Sequence, residues 1–484
     1  LESPNLNPAG PAVRRPRLAI AIAAAALLVI VGAGLWYVWR QRSIAWARNA
    51  VVEAERLAHD EKYFEAFELL SQAEGYLSGD PSVARLLPVV TDDLSVKTAP
   101  AGATVYLRRF DPGQPDHEPV RELIGSTPIE HLLTGRADYI LEIEKDGFVP
   151  VRRTISSALD RVQSAALGPV GLRRRVETVE PESERPRVFL DADAPIVIDV
   201  ALVESGGVPE RMVPVAGGEY RLLGYGRPSL ATVQLDPYFI DTFEVSNAEF
   251  REFIRAGGYL KKEYWRHPFR LDGRVLSWDE AMARFRDRTD LPGPRTWSNQ
   301  TFPDGESAHP VTDVSWYEAA AYAEFRGKRL PTIFQWEKAA RNGAVTVGDG
   351  FIMPWGLGRS WQGRDARANY LGSGTAPVES RPFGMSSFGC FNMAGNVAEW
   401  CVNSTDAGFT TAGGSWKDPL YLFSSYGAFP GAFASSALGF RCVLVPEPAA
   451  GDQGGMPLRP DADVPRYTPP SDAAHAAMLR HYTH

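Results

Sequence analysis

Residues Leu18 to Trp39 read LAIAIAAAALLVIVGAGLWYVW, 22 residues without a charge, and this run restricts the fold more than any other segment. At ~1.5 Å per residue it makes about 33 Å of helix, the thickness of a bilayer's hydrocarbon core. Arg14, Arg15 and Arg17 precede it and Arg40 and Arg42 follow it, while Trp36, Tyr37 and Trp39 stand where an interfacial aromatic belt belongs. A cleaved signal peptide needs a shorter apolar core and a small-residue cleavage site, and Leu35-Trp36-Tyr37 occupies that place. The expectation is therefore a juxtamembrane segment at 1–17, one transmembrane helix at 18–39, and a large C-terminal part outside the cytoplasm, periplasmic or at the cell surface. The chain starts on Leu, which reads as a piece of something longer.

The chain has 484 residues, 44% of them hydrophobic and 11% aromatic, ample for several cores. Lys plus Arg number 51 against 59 for Asp plus Glu, a net charge of −8, with no basic stripe that would hold nucleic acid. Three cysteines without a CxxC spacing argue against both a disulfide framework and a structural zinc.

Past the apolar run the pattern changes period three times. From 43 to 90 apolar residues recur at helical spacing, Ala47, Ala50, Val51, Ala54 and Leu57, then Tyr63, Ala66, Phe67, Leu70 and Ala73, until Gly79-Asp80-Pro81 interrupts them. This reads as a helical hairpin. Its Leu57-Ala58, Tyr63, Ala66, Ala73 and Asp80-Pro81 resemble one tetratricopeptide repeat, and an ordinary amphipathic stalk accounts for them equally. From 94 to 172 strand-like alternation takes over in Leu94–Thr98, Thr104–Arg108, Tyr139–Glu144 and Val149–Ile155, which predicts a small β-sandwich. Pro100-Ala-Gly-Ala103, Gly125-Ser-Thr-Pro128, Gly135, Tyr139 and Lys145-Asp-Gly-Phe148 resemble the PEGA module, a bacterial extracytoplasmic β-domain. Residues 173–207 read as a charged linker with a strand pair around Arg187 to Val203, and 446–484, rich in Pro and Gly, as a disordered tail.

Residues 208–445 collect the aromatics and glycines. Two capping boxes stand out: Ser315 with Glu318 ahead of a helix through Phe325, and Thr332 with Gln335 ahead of one through Arg341. Gly413-Gly-Ser-Trp416 and the run after Leu438 read as strands of a central sheet. Met212-Val-Pro-Val-Ala-Gly-Gly-Glu-Tyr220, Tyr238–Phe250, His309-Pro-Val, Gly327-Lys-Arg-Leu-Pro-Thr332, Pro354-Trp-Gly356, Asn392-Met-Ala-Gly-Asn-Val-Ala-Glu-Trp400, Gly413-Gly-Ser-Trp416 and Gly439-Phe-Arg-Cys442 follow in order. Together they resemble the formylglycine-generating enzyme, or sulfatase-modifying factor, family. The resemblance implies an α+β fold similar to the C-type lectin fold.

What it implies about chemistry is mixed. The family enzyme oxidises a cysteine of an unfolded sulfatase segment with O2 and a copper(I) ion held by two thiolates, and soft Cu(I) requires sulfur. The matching positions here are Asp418 and Phe423, so neither copper nor a catalytic residue is expected. Cys442 matches a position that in the family pairs with a cysteine where this chain has Ala340; Cys390 and Cys401 flank the Asn392 loop, and a Cys401–Cys442 bridge stays open. No histidine triad for iron and no Gly-x-Ser-x-Gly elbow occurs. The resemblance does imply a calcium ion at Asn392, Gly395, Val397 and Glu399, oxygen donors suited to a hard cation, with an Arg partner for Glu399 as the competing reading. Tyr421, Phe423, Tyr426 and Phe429 are the expected binding surface for a protein, peptide or glycan. The expected function is a membrane-anchored binding or sensor module, in an arrangement that in bacteria follows a cytoplasmic serine/threonine kinase; a formylglycine-generating oxidoreductase acting on protein thiols is the alternative.

Overall fold

A computed structural model describes residues 16–446 apart from 112–118, 157–194, 221–232, 272, 342–351 and 358–363; the side chains of 16–24, 352, 356–357, 364–365, 421 and 424 also fall outside the description. The described residues divide into two units, one formed by the chain up to Asp93 with Leu133–Arg136, the other by the remainder.

The first unit is helical. Helix α1 runs unbroken from Pro16 to His59, α2 covers Tyr63–Glu74 and α3 covers Pro81–Val90. The expected hairpin is thus a three-helix unit. Gly79-Asp80-Pro81 interrupts the pattern in order to start α3: the Asp80 carboxylate accepts the Ser82 N–H at 2.8 Å, and Pro81 takes the first-turn position where its missing N–H costs nothing. Small residues of α1 (Ala47, Ala50, Ala54) let it pack closely on Ala66, Leu70 and Ala73 of α2 and on Val83, Leu86 and Val90 of α3. Earlier along α1 there is no such partner: Leu27, Leu28, Val29, Ile30, Leu35 and Trp36 are all exposed. Among the described residues no helix is long and apolar enough to cross a membrane, and the expected span at 18–39 has its first seven side chains outside that set.

Strands β1 (Thr91–Ala99), β2 (Thr104–Arg109), β3 (Glu122–Ser126), β4 (Ile129–Gly135), β5 (Asp138–Glu144) and β6 (Val151–Ser156) follow, in the second unit except for the start of β1 and the end of β4. Four of them form an antiparallel sheet in the order β3-β2-β5-β6. The alternation marks β1, β2, β5 and β6; β3 and β4 are largely exposed or half-buried, with no clean period to read. In the expected linker, β7 (Ile196–Ala201) pairs in parallel with β1, from Leu94↔Ile196 to Ala99↔Ala201. Residues 157–172 of the expected β-domain, 173–194 of the linker and the tail beyond 446 lie outside the described residues. The β5 strand is buried on both sides because Ile140, with Phe110, meets Phe383, Met385 and Phe391 of the following domain. Arg367 reinforces that contact, lying 4.0 Å over the Phe110 ring and 2.6 Å from the Asp138 carboxylate.

The rest is a mixed α/β domain. Strands β8 (Met212–Val215) and β9 (Tyr238–Asp241) form an antiparallel sheet with β14 (Val443–Leu444). A second sheet orders β12 (Gly427–Phe429), β11 (Gly408–Ala412), β10 (Ala398–Thr405) and β13 (Leu438–Gly439), the last pair parallel. Helices α4 (Asn247–Arg255), α5 (Trp278–Met282), α6 (Trp316–Phe325) and α7 (Ile333–Arg341) pack on them. Both anticipated capping boxes are present: Ser315 with Glu318, and Thr332 with Gln335. Two more, Ser246 with Glu249 and Ser277 with Glu280, start α4 and α5. The expected strand at Gly413–Trp416 is a turn instead. The strand stops at Ala412 because Gly413 and Gly414 adopt φ of 96° and 67°, and a Cβ on Gly413 would sit 3.1 Å from the Trp336 ring.

Candidate functional site

Two loops meet beside Trp336. The loop from Asn392 to Glu399 turns through left-handed backbone at Asn392 (φ 51°), Gly395 and Asn396 (φ 64°), which asparagine tolerates better than other side chains. It is tied to the 413–418 loop by the Gly395 N–H to the Gly413 carbonyl at 2.9 Å and by the Trp416 N–H to the Asn396 carbonyl at 2.9 Å. The Tyr370 hydroxyl closes the joint on the Gly413 carbonyl at 2.8 Å.

Beneath the joint lies a buried charge cluster. Glu399 takes Arg441 in a bidentate pair, 2.7 Å from Nε and 2.8 Å from Nη2, and also accepts the Trp336 indole N–H at 2.8 Å. The remaining Arg441 donors reach the carbonyls of Asp241 (3.1 Å), Thr242 (3.2 Å) and Phe391 (2.8 Å), so the planar fork is fully used. A second carboxylate, Glu244, accepts the side-chain N–H groups of Asn392 at 3.0 Å and Asn396 at 2.8 Å. Burial, partly offset by Arg441 and reinforced by Glu399, pushes the Glu244 carboxyl up to about 7. No sequence signal pointed to Glu244, because its partners are 148 and 152 residues away.

This geometry bears on the four residues expected to hold calcium. Asn392, Gly395, Val397 and Glu399 share one loop, yet its one carboxylate is matched by a guanidinium, and Asn392 turns its amide N–H to Glu244 and to the Val378 carbonyl. Arg441 already supplies a positive charge at Glu399, so that carboxylate is satisfied without a cation. Among the described residues no three His, Cys, Asp or Glu side chains gather as a metal site.

At the first of the two positions expected to match the copper thiolates, Asp418 caps its own turn, accepting from the Ser415 N–H (2.8 Å) and hydroxyl (2.6 Å). Phe423 is a core residue. It was expected on the binding surface and is instead 1% exposed, 6.3 Å from Trp336 with the Arg341 guanidinium 4.4 Å over its ring. Tyr426 is half-buried with its hydroxyl enclosed, and Tyr421 has its side chain outside the described residues. Of the three expected aromatics whose side chains are described, Phe429 is half-buried and stacks at 4.7 Å on Phe433, which is 38% exposed. Trp416, expected as strand scaffold, is half-buried in the turn, overlain by Lys417 Nζ at 4.9 Å and donating its indole N–H to the Ser436 carbonyl at 3.1 Å.

Cys390, Cys401 and Cys442 are free, fully buried thiols, so the Cys401–Cys442 bridge is not formed. Burial pushes Cys390 up to about 11 and raises the other two as well. A thiol reagent such as DTNB is therefore expected to leave all three unmodified in the native protein at pH 8 and to titrate all three after guanidinium unfolding. One thiol reacting natively would contradict this burial.

The sulfatase-modifying factor enzyme 1-like domain family matches residues 202–445. The formylglycine-generating enzyme of Thermomonospora curvata is 32% identical over 225 residues, 40% of this chain and 72% of that protein. The inactive C-alpha-formylglycine-generating enzyme 2 of Bos taurus is 30% identical over 284 residues, 49% of this chain and 89% of that protein. The serine/threonine-protein kinase Pkn1 of Chlamydia trachomatis is 28% identical over 363 residues, covering 67% of this chain but 54% of the kinase. With half its length matched, and relatives among the active enzymes, an inactive one and a kinase-linked one, this chain belongs to the sulfatase-modifying factor enzyme 1-like domain family.

Proposed function

We propose that this chain is a non-catalytic recognition module built on a sulfatase-modifying-factor domain with a lectin-like loop surface. One observation carries the reading. The second copper position is Phe423, buried against Trp336, and a hydrophobic ring packed in a core offers no ligand to Cu(I). The Phe429–Phe433 stack and, separately, the half-buried Trp416 under Lys417 offer aromatic rings, the latter with a cation over it, that suit contact with a protein, peptide or glycan. The sheet formed by β2, β3, β5 and β6 is read as the PEGA-type module, and α1, with its exposed Leu27–Trp39 face, as the membrane anchor that places this surface outside the cytoplasm. Similarity to Pkn1 supports a kinase as the linked partner.

The experiment is a Cu(I) titration of the purified chain followed by incubation with O2 and a cysteine-containing sulfatase peptide. The expected result is no stoichiometric copper binding and no aldehyde by mass spectrometry. Aldehyde formation would establish the oxidoreductase reading that the active relatives favour.

For the Asn392–Glu399 loop we favour the internal ion pair over calcium. Excess EGTA is expected to leave the melting temperature unchanged, whereas a site occupied at 100 times its Kd would lose about 2.7 kcal/mol on chelation. A drop of several degrees would restore calcium to the loop.

A further inference from the structure

The helical unit carries a groove of about 510 Å3 lined by Arg42, Ser43, Trp46, Gln72 and Tyr76. Trp39, Arg42, Ser43 and Trp46 follow one another at i, i+3, i+4 and i+7 and so share one face of α1. The turn after α2 brings Tyr76 back to that face, edge-on to Trp39 at 6.2 Å and to Trp46 at 6.1 Å. Trp39, Trp46 and Tyr76 nevertheless remain 56%, 42% and 39% exposed, too much ring surface for a cluster whose only task is to hold two helices together.

Charge says what belongs there. Between Pro16 and Val52 the chain has Arg17, Arg40, Arg42 and Arg48 and not one Asp or Glu; the next carboxylate along α1 is Glu53. Arg40 lies 5.4 Å over the Trp36 ring, so Arg42 is the arginine at the groove itself. The groove also begins one helical turn past the end of the apolar run at Trp39, the depth at which acyl chains give way to headgroups if that run is embedded.

We propose that this groove seats the headgroup of an anionic phospholipid, its phosphodiester on Arg42 and Ser43 and its glycerol region against Trp46 and Tyr76. The assignment rests on the reading of α1 as a membrane anchor. Such a site ties α1 to α2 at the bilayer surface and fixes the direction in which the helical unit leaves the membrane.

The full chain, in nanodiscs of phosphatidylcholine containing one-fifth phosphatidylglycerol, tests it by native mass spectrometry after release into mild detergent. Retention of phosphatidylglycerol over phosphatidylcholine is expected, with about tenfold weaker retention in Arg42→Gln, the loss of one charge-assisted contact. Leu28→Ala, in the apolar run, should retain lipid like the parent. Arg42 is exposed to the groove and not part of the helical core, so far-UV circular dichroism should not change. Equal retention by Arg42→Gln and the parent overturns the site, as does displacement of the lipid by inorganic phosphate alone, which would mark a general anion site. Failure of the chain to enter nanodiscs at all overturns the anchor, and the site with it, and is read separately as recovery of the protein in the lipid-free fraction.

Discussion

Arg441→Met is expected to destabilise the C-terminal domain by about 4 kcal/mol, the usual consequence of removing one partner of a buried ion pair. The methionine fills much of the same volume, so the loss is electrostatic more than steric. Glu399, with no exposure to solvent, would be left without its guanidinium near the like charge of Glu244, and the carbonyls of Asp241, Thr242 and Phe391 would lose the arginine's hydrogen bonds. Urea unfolding followed by tryptophan fluorescence measures the effect, since Trp336 sits on the same carboxylate. The double variant Arg441→Met/Glu399→Gln removes the stranded charge and should recover a substantial part of the stability, giving a coupling energy of at least about 1 kcal/mol. Strict additivity of the two single variants would mean that the pair is not the cluster's organising contact.

Stability should also fall as pH rises through neutrality, in proportion to the ionisation of Glu244. In the fold its carboxyl titrates at about 7, against an ordinary value of 4.5. Between those values the native state holds a proton that the unfolded chain has released, so unfolding free energy decreases with pH. The contribution is complete below about 4.5 and gone above about 7, on the order of 3 kcal/mol across that window. Comparison with Glu244→Gln isolates it from other titrating groups. The variant cannot ionise, so it should gain on the parent from pH 5.5 to pH 8.5 as read by chemical denaturation at each pH. Parallel profiles for the two proteins would show that Glu244 is ionised throughout, held by Asn392 and Asn396.

Local signals in this sequence were readable wherever a short-range rule governs the backbone. The capping boxes at Ser315 and Thr332 fixed two helix starts because their partners lie three residues apart; the alternation in Thr104–Arg108 marked a strand with one regular buried face, and that in Tyr139–Glu144 a strand whose second face is buried only by packing against the following domain. The same rule would have located α4 and α5 from Ser246-x-x-Glu249 and Ser277-x-x-Glu280. The β3 and β4 strands carried no comparable pattern, since neither has a consistent buried side. The aromatic loop after Trp416 was legible as a candidate surface only in composition. Burial depends on what packs opposite, and Arg341 and Trp336 took Phe423 inward while Phe433 stayed accessible.

The sequence by itself determined the family, through ordered motifs over 202–445, and the lack of sulfur at 418 and 423, since residue identity alone decides whether a soft ligand exists. Tertiary structure decided which charges meet. Glu244, Glu399 and Arg441 are separated by 155 and 42 positions in the chain, and only the tertiary fold sets them in one buried cluster, where an arginine satisfies the carboxylate a cation was expected to hold.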